Sequence, residues 1–256
     1  MIDLQRENLD VLVKNDGFKF IDTFFPYTSG QIGPYYVNSE VVQKNGSSYF
    51  MAVYSIIHKI AEIEDVEVIS GGESRDWIFS QPASILFHRP HLMIYKDGRV
   101  SGADVKGKKV VHVADLNNEG SSIRDFWLPV IEREGGLIKD VVFYVDRLED
   151  GVQVVQDLGL NRQVVVPLDK NAWDYLKKIN VVNDGVYRSL VERMEDKDSW
   201  ARSMLRSARG LERLVVLLRD PKTCGKALKV IRAGYPDLKD ELVDRIGSRL
   251  RVGVKL

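Results

Sequence analysis

Across the first 180 residues, short runs rich in β-branched and aromatic side chains alternate with amphipathic stretches at helical spacing, and no other feature restricts the fold as strongly. The strand-like runs are 66–70, 91–95, 109–114, 138–145 and 163–166. Helical spacing covers 47–63, where Phe50, Val53, Tyr54, Ile57, Ile60 and Ala61 share a face, then 77–87, 121–134 and 152–158. A strand, a helix and a second strand in that order cross over right-handedly to a parallel neighbour. The pattern predicts a doubly wound α/β domain over residues 1–180, with a largely parallel sheet covered on both faces.

From about Asp184 the strand signal stops. Residues 181–256 are rich in Leu, Arg, Glu and Ala and are punctuated by Gly210, Asp220-Pro221, Gly225, Gly234-Tyr235-Pro236 and Gly247, which predicts a C-terminal helical appendage of four or five short helices. Asp220-Pro221 has the form of a cap followed by proline at a first helical position, and Pro236-Asp237 that of the start of the last long helix. Net charge is zero, yet residues 1–180 hold 20 Lys+Arg against 26 Asp+Glu, and residues 181–256 hold 17 against 11. The basic segment is expected to pack on its own acidic chain rather than to read nucleic acid. Its arginines at 202, 206, 209 and 213 are read as a solvated or inward-docking face. A single cysteine, Cys224, excludes an internal disulfide and points to a reducing compartment, the cytoplasm. No run is long and apolar enough to span a membrane, and the first residues lack a signal-peptide pattern.

In a doubly wound sheet, ligands bind beyond the carboxyl ends of the strands. The run 110–113 leads through Ala114 into Asp115, then into a small polar loop with Glu119 and Gly120, and a helix is expected to begin at Ser121 or Ser122. Backbone N–H groups at such a start, with two hydroxyls beside them, suit a phosphate; an ordinary capped strand-to-helix turn has the same spacing. The four histidines make no metal-ligand set, and the four tryptophans read as core or interface, with Trp77 set apart because it follows Arg75.

This stretch resembles the phosphoribosyl pyrophosphate motif of the type I phosphoribosyltransferases, and three others resemble the orotate branch in order and spacing. They are 29–38 (Ser-Gly-Gln-Ile-Gly-Pro-Tyr-Tyr-Val-Asn), 69–77 with Arg75, and 94–102 with Lys96 and Arg99; Asp146-Arg147 also matches. The resemblance implies that fold for residues 1–180, a phosphoribosyl or nucleotide ligand, Mg²⁺, and a homodimer. It assigns Asp115 to the ribose hydroxyls, Gly120, Ser121 and Ser122, with Glu119 in the same loop, to the 5′-phosphate, Arg75, Lys96 and Arg99 to pyrophosphate, and Tyr36 and Val37 to the base. Lys96 and Arg99 then belong to the start of a mobile catalytic loop, which is short here.

The chain departs from the pattern at Ala114 and at Glu119, at Tyr95 and Thr28, which take the place of cations, and at Asp76, where glycine is usual. At ~5 Å and an effective dielectric of ~20, a unit charge beside a polyanion is worth roughly 3 kcal/mol before screening. The expectation is therefore a phosphoribosyltransferase-like protein that binds a phosphorylated ribose compound and transfers phosphoribosyl to a base, with a non-catalytic nucleotide sensor or interaction scaffold as the alternative.

Overall fold

The alternating runs form a six-stranded sheet in the order β5-β4-β3-β6-β7-β8. In this computed structural model, residues 3–250 are described, with side chains through residue 247. The strands are β3 (Val68–Gly72), β4 (His91–Ile94), β5 (Val100–Gly102), β6 (Lys109–Asn117), β7 (Leu137–Asp146) and β8 (Asn161–Pro167). All neighbours are parallel except β4 and β5, an antiparallel pair that the sequence pattern did not predict. Every residue of β3 is buried, as is the second half of β7, because helices cover both faces of a parallel sheet.

The chain forms two compact units, residues 3–17 with 38–175 and residues 18–37 with 176–250. The first holds the sheet and α1 (Leu4–Lys14), α2 (Gly46–Ala61), α3 (Arg75–Leu86), α4 (Leu128–Arg133), α5 (Gly151–Asp157) and most of α6 (Lys170–Lys178). The helix expected at 121–134 starts at Ser121 but winds as a π-turn over Ile123–Trp127 before α4. Helix α1, absent from the sequence reading, is held by buried amides: Asn8 donates to Ser55 Oγ at 2.7 Å and Asn15 to Ser48 Oγ at 2.9 Å.

The second unit differs from the expected division at residue 180. It contains α7 (Asp184–Glu195), α8 (Lys197–Arg206), α9 (Ala208–Arg219), α10 (Cys224–Lys229) and α11 (Lys239–Leu250), together with an antiparallel pair from early in the chain, β1 (Phe18–Pro26) and β2 (Ile32–Val37). Phe24 and Ile32 of that pair lie fully buried in one cluster with Trp200, Leu205, Leu214 and Ile246. Arg193 Nε donates to Ile32 O at 3.1 Å and Arg213 Nε to Phe24 O at 3.2 Å. Arg202 and Arg206 pair with Asp237 (3.0 Å) and Glu241 (2.9 Å). Pro236 opens a short 3-10 turn that runs into α11. Asp220, expected as an N-cap, instead follows α9 and accepts the Lys222 N–H at 2.9 Å; α10 begins at Cys224. Among the described residues, no helix is long and apolar enough to cross a membrane.

Candidate functional site

The carboxyl ends of β3 and β6 place an acid, a hydroxyl and a cation side by side. Strand β6 continues three residues beyond the predicted run, so Asp115 lies within the strand rather than at its end, and pairing with β7 extends to Asn117. Ser39, in a 3-10 turn over Ser39–Lys44, donates its hydroxyl to Asp115 Oδ2 at 2.8 Å. Arg75 at the start of α3 pairs with Glu40 Oε2 at 3.3 Å, and its charge also reaches Asp115. Asp76, next on α3 and 7% exposed, accepts the N–H of Gly72 (3.1 Å) and the N–H of Asp115 (2.9 Å). It thereby ties the ends of two neighbouring strands.

These contacts set the charge state. Burial, and after it the negative Asp76, push the Asp115 carboxyl up to about 7, against the opposing pull of the Ser39 hydroxyl and the Arg75 guanidinium. Behind Asp76 lies His112, fully buried, with Nδ1 3.0 Å from Ser70 Oγ and Nε2 3.6 Å from Asp76 Oδ2. His91 Nε2 is 2.9 Å from Ser80 Oγ, and burial together with His112 lowers the His91 pKa to about 4, leaving it neutral. The indole of Trp127 lies over the end of β3, where a Cβ on Gly72 would come within 2.3 Å of the ring; only glycine fits there.

Lys96 and Arg99 occupy a tight turn between β4 and β5, closed by Tyr95 N–H to Arg99 O and Gly98 N–H to Tyr95 O, both 2.9 Å. That turn stands in place of the expected start of a mobile loop. Glu73 Oε2 accepts the Lys96 N–H at 2.9 Å, which fastens the turn to the 71–75 loop. Arg99 pairs with Asp97 at 2.7 Å and lies over the Tyr95 ring, which meets Trp77 edge-on; the Trp77 indole in turn donates to Gly71 O at 2.8 Å. The three predicted cations thus border the ends of β3 and β4, with Arg75 and Arg99 already paired to carboxylates.

In the predicted phosphate turn, Gly120 has φ +67°, and a Cβ there would meet Val154 at 2.8 Å. Ser121 and Ser122 begin the helix, and the Arg124 N–H bonds to Gly120 O at 3.1 Å. The preceding residues are less suited to an anion. Asn118 Oδ1 and Glu119 Oε1 are buried acceptors with no hydrogen-bond partner, and so is Asn117 Oδ1, whose Nδ2 is held by Asp146 Oδ2 at 3.0 Å. Asp146 is fully buried and also takes the Leu148 N–H and Arg162, so its role is to brace the loop. Tyr36 and Val37 lie on β2 in the second unit, where Tyr36 is 41% exposed and Val37 is buried.

Ser39, Glu40, Glu73 and His112 were not singled out as site residues from the sequence, and Asp76 was noted only as a departure. Ser39 and Glu40 directly follow the 29–38 segment, a signal that could have extended it, but no periodicity indicates that a 3-10 turn carries them to β6.

No family model matches the chain. It is 28% identical over 174 residues to the orotate phosphoribosyltransferase of Methanopyrus kandleri, covering 65% of this chain and 91% of that protein. To the orotate phosphoribosyltransferase of Saccharolobus solfataricus it is 26% identical, covering 66% and 87%. Among solved structures, the UMP synthase of Leishmania donovani superposes with a TM-score of 0.68 at 18% identity, covering 75% of this chain and 42% of that one. The orotate phosphoribosyltransferase of Aeropyrum pernix superposes with a TM-score of 0.59 at 20% identity, covering 68% and 99%. The chain spans less than half the length of the UMP synthase and nearly all of the other three.

Proposed function

Because the chain is an orotate phosphoribosyltransferase-like member of the type I phosphoribosyltransferases, we propose that it binds phosphoribosyl pyrophosphate and transfers the phosphoribosyl group to a pyrimidine-type base. The observation that carries this reading is the meeting of Asp115, Ser39 and Arg75 at the carboxyl ends of β3 and β6, where a doubly wound sheet binds its ligands. Nothing in the fold or among the relatives favours the sensor or scaffold alternative.

In the proposed reaction, the bond from the ribose anomeric carbon to the pyrophosphate oxygen breaks and a bond to a ring nitrogen of the base forms. Asp115 accepts the ribose hydroxyls, and Ser39 holds the carboxylate in place. Arg75, Lys96 and Arg99 receive the charge that grows on pyrophosphate, with Glu40 and Asp97 keeping Arg75 and Arg99 oriented until the ligand competes for them. Gly120, Ser121 and Ser122 hold the 5′-phosphate. Among the described residues, no group of three or more His, Cys, Asp or Glu could cage a metal ion. This donor set fits Mg²⁺ only as an ion carried in on the diphosphate, and when bound there it would neutralise the leaving group. A homodimer and a cytoplasmic location are part of the same proposal and rest on the family resemblance.

Calorimetry with phosphoribosyl pyrophosphate and Mg²⁺, followed by an assay for pyrophosphate release with orotate, tests the proposal. Saturable heat and release that depends on the base are expected. Absence of heat with phosphoribosyl pyrophosphate and with nucleoside monophosphates would remove the binding claim.

A further inference from the structure

The carboxylate of Asp76 sits in a place shaped for an anion, and the donors that shape it come from two strands. Asp76 is 7% exposed and takes the N–H of Gly72 on Oδ2 at 3.1 Å and the N–H of Asp115 on Oδ1 at 2.9 Å. Gly72 ends β3 and Asp115 lies near the end of β6, on the side of the sheet where ligands bind. A third nitrogen faces the same group: His112 Nε2 lies 3.6 Å from Asp76 Oδ2. That ring is fully buried, its Nε2 has no hydrogen-bond partner, and its Nδ1 is 3.0 Å from Ser70 Oγ. Main-chain N–H groups converging on one oxyanion, with an imidazole nitrogen beside them, are the parts from which proteins build anion sites. A related closure occurs one strand over, where Glu73 Oε2 accepts the N–H of Lys96, just beyond β4, at 2.9 Å. Acids at 73 and 76 thus take a main-chain N–H from the ends of β3, β4 and β6.

A donor already held by an internal carboxylate is closed to a second anion, which that carboxylate also repels. We infer that Asp76 is a specificity-determining residue: its carboxylate is the chain's own occupant of an anion site at the ends of β3 and β6, so a diphosphate is held by Arg75, Lys96 and Arg99 and not by the main chain of these strands. The acids around the site differ in this respect. Glu40 and Asp97, which pair with Arg75 and Arg99, are exposed and exchange for a ligand, whereas Asp76 is buried and stays in place. Free phosphate and pyrophosphate are therefore bound loosely, and pyrophosphate formed in the reaction leaves readily. In naming the diphosphate, this rests on the function proposed above. The internally filled anion site does not.

The direct test follows the amide ¹H–¹⁵N signals of Gly72 and Asp115 in the full chain, because an N–H that donates to a carboxylate resonates at low field. In Asp76→Ala both signals should move upfield, and added formate should return them, whereas formamide, of equal size but neutral, should not. Asp76→Asn fills the same space and should ignore formate. No return with formate in a folded Asp76→Ala, or an equal response in Asp76→Asn, overturns the anion site. Calorimetry with pyrophosphate then separates the donors from the charge. Asp76→Ala frees both N–H groups and should bind pyrophosphate about tenfold more tightly than wild type. Asp76→Asn loses the charge but still covers the donors and should gain less; equal gains in the two variants overturn the inference. Should Asp76→Ala not fold, wild type carries the test. With pyrophosphate and Mg²⁺ bound, the Gly72 and Asp115 signals should keep their low-field positions while those of Lys96 and Arg99 move, and loss of the low-field positions overturns the inference. If formate fills Asp76→Ala while wild type binds neither pyrophosphate nor phosphoribosyl pyrophosphate, the anion site is supported and the proposed function fails.

Discussion

The strand ends around Asp115 and the β1–β2 pair held by the C-terminal helices solve the same problem in opposite ways. Both have polar groups away from water. In the second unit, the buried Arg193 and the half-buried Arg213 donate to Ile32 O and Phe24 O, and the Tyr235 hydroxyl accepts the Ile32 N–H. In the first, Asp76 is held by two main-chain N–H groups, whereas Asn118 Oδ1 and Glu119 Oε1 are buried and lack partners. The difference separates polar groups that stabilise a fold from polar groups maintained at a cost, and the latter mark where a ligand belongs.

The largest effect should come from removing a member of the well-satisfied set. Arg193 is 5% exposed, and its guanidinium lies over the Tyr27 ring while bonding to Ile32 O. Arg193→Met leaves that carbonyl without its donor in an apolar cluster, so unfolding in urea should show a loss of about 2–4 kcal/mol. A midpoint equal to wild type would mean that the helices do not hold the strand pair by this contact.

Asp115→Asn should act in the other direction. A carboxyl whose folded pKa is raised to about 7 contributes most to stability below its unfolded value near 4, and that contribution is lost as pH rises through 7. Wild type should therefore lose stability between roughly pH 4 and 7 from this group. Asp115→Asn should remove that slope and be more stable at pH 8 by about 1–3 kcal/mol, while losing affinity for phosphoribosyl pyrophosphate. A destabilised variant at pH 8 would place Asp115 among the structural groups and erase the contrast between the two regions.

The residues that carry this contrast differ in how readable they were. Hydrophobic periodicity located every parallel strand, because the central ones, β3, β6 and β7, are buried on both faces over most of their length and read as apolar runs. The pair β1–β2 was not anticipated, since its exposure alternates irregularly around a break in register between Phe20 and Phe25. Its placement with the C-terminal helices depends on Phe24 and Ile32 filling a cluster built from residues about 170 or more positions later, and no local pattern encodes such a contact. At the site, Asp115 and Gly120 were singled out because they follow an apolar run, and Arg75 only through the family resemblance. Asp76 looked like an unfavourable added charge because its two N–H donors come from β3 and β6, and strand neighbours appear only once the sheet order is known. Lys96 and Arg99 were read as part of a loop; the Gly98 turn with Val100–Gly102 paired to β4 makes them a hairpin instead.

Glu119 gives a smaller effect. Its Oε1 is buried without a partner beside the turn proposed to hold the 5′-phosphate, so Glu119→Gly removes both a repulsive charge and an unsatisfied acceptor. Affinity for phosphoribosyl pyrophosphate should tighten about tenfold, equivalent to about 1.4 kcal/mol, with a slight gain in thermal stability. Weaker binding would show that Glu119 contacts the ligand favourably and that the phosphate is held elsewhere.

The smallest effect is expected on the helices' outer face, where charges are exposed and paired. From α8, Arg202 reaches Asp237 in the turn before α11 and Arg206 reaches Glu241 on α11, and in both acids the neighbouring guanidinium holds the carboxyl below the usual range. Exposed pairs of this kind contribute little to stability, so Arg206→Gln should leave the melting temperature within the scatter of repeated scans. The pairing bears more on what the face can attract. With each arginine neutralised by its partner, duplex DNA or RNA should bind wild type weakly and dissociate by about 200 mM salt. The double variant Asp237→Asn with Glu241→Gln keeps both arginines and removes their partners, so non-specific binding should increase at low salt while the fold is unchanged. Tight, salt-resistant binding by wild type would contradict this, because it would require arginines on this face to prefer phosphate over the carboxylates already in contact with them.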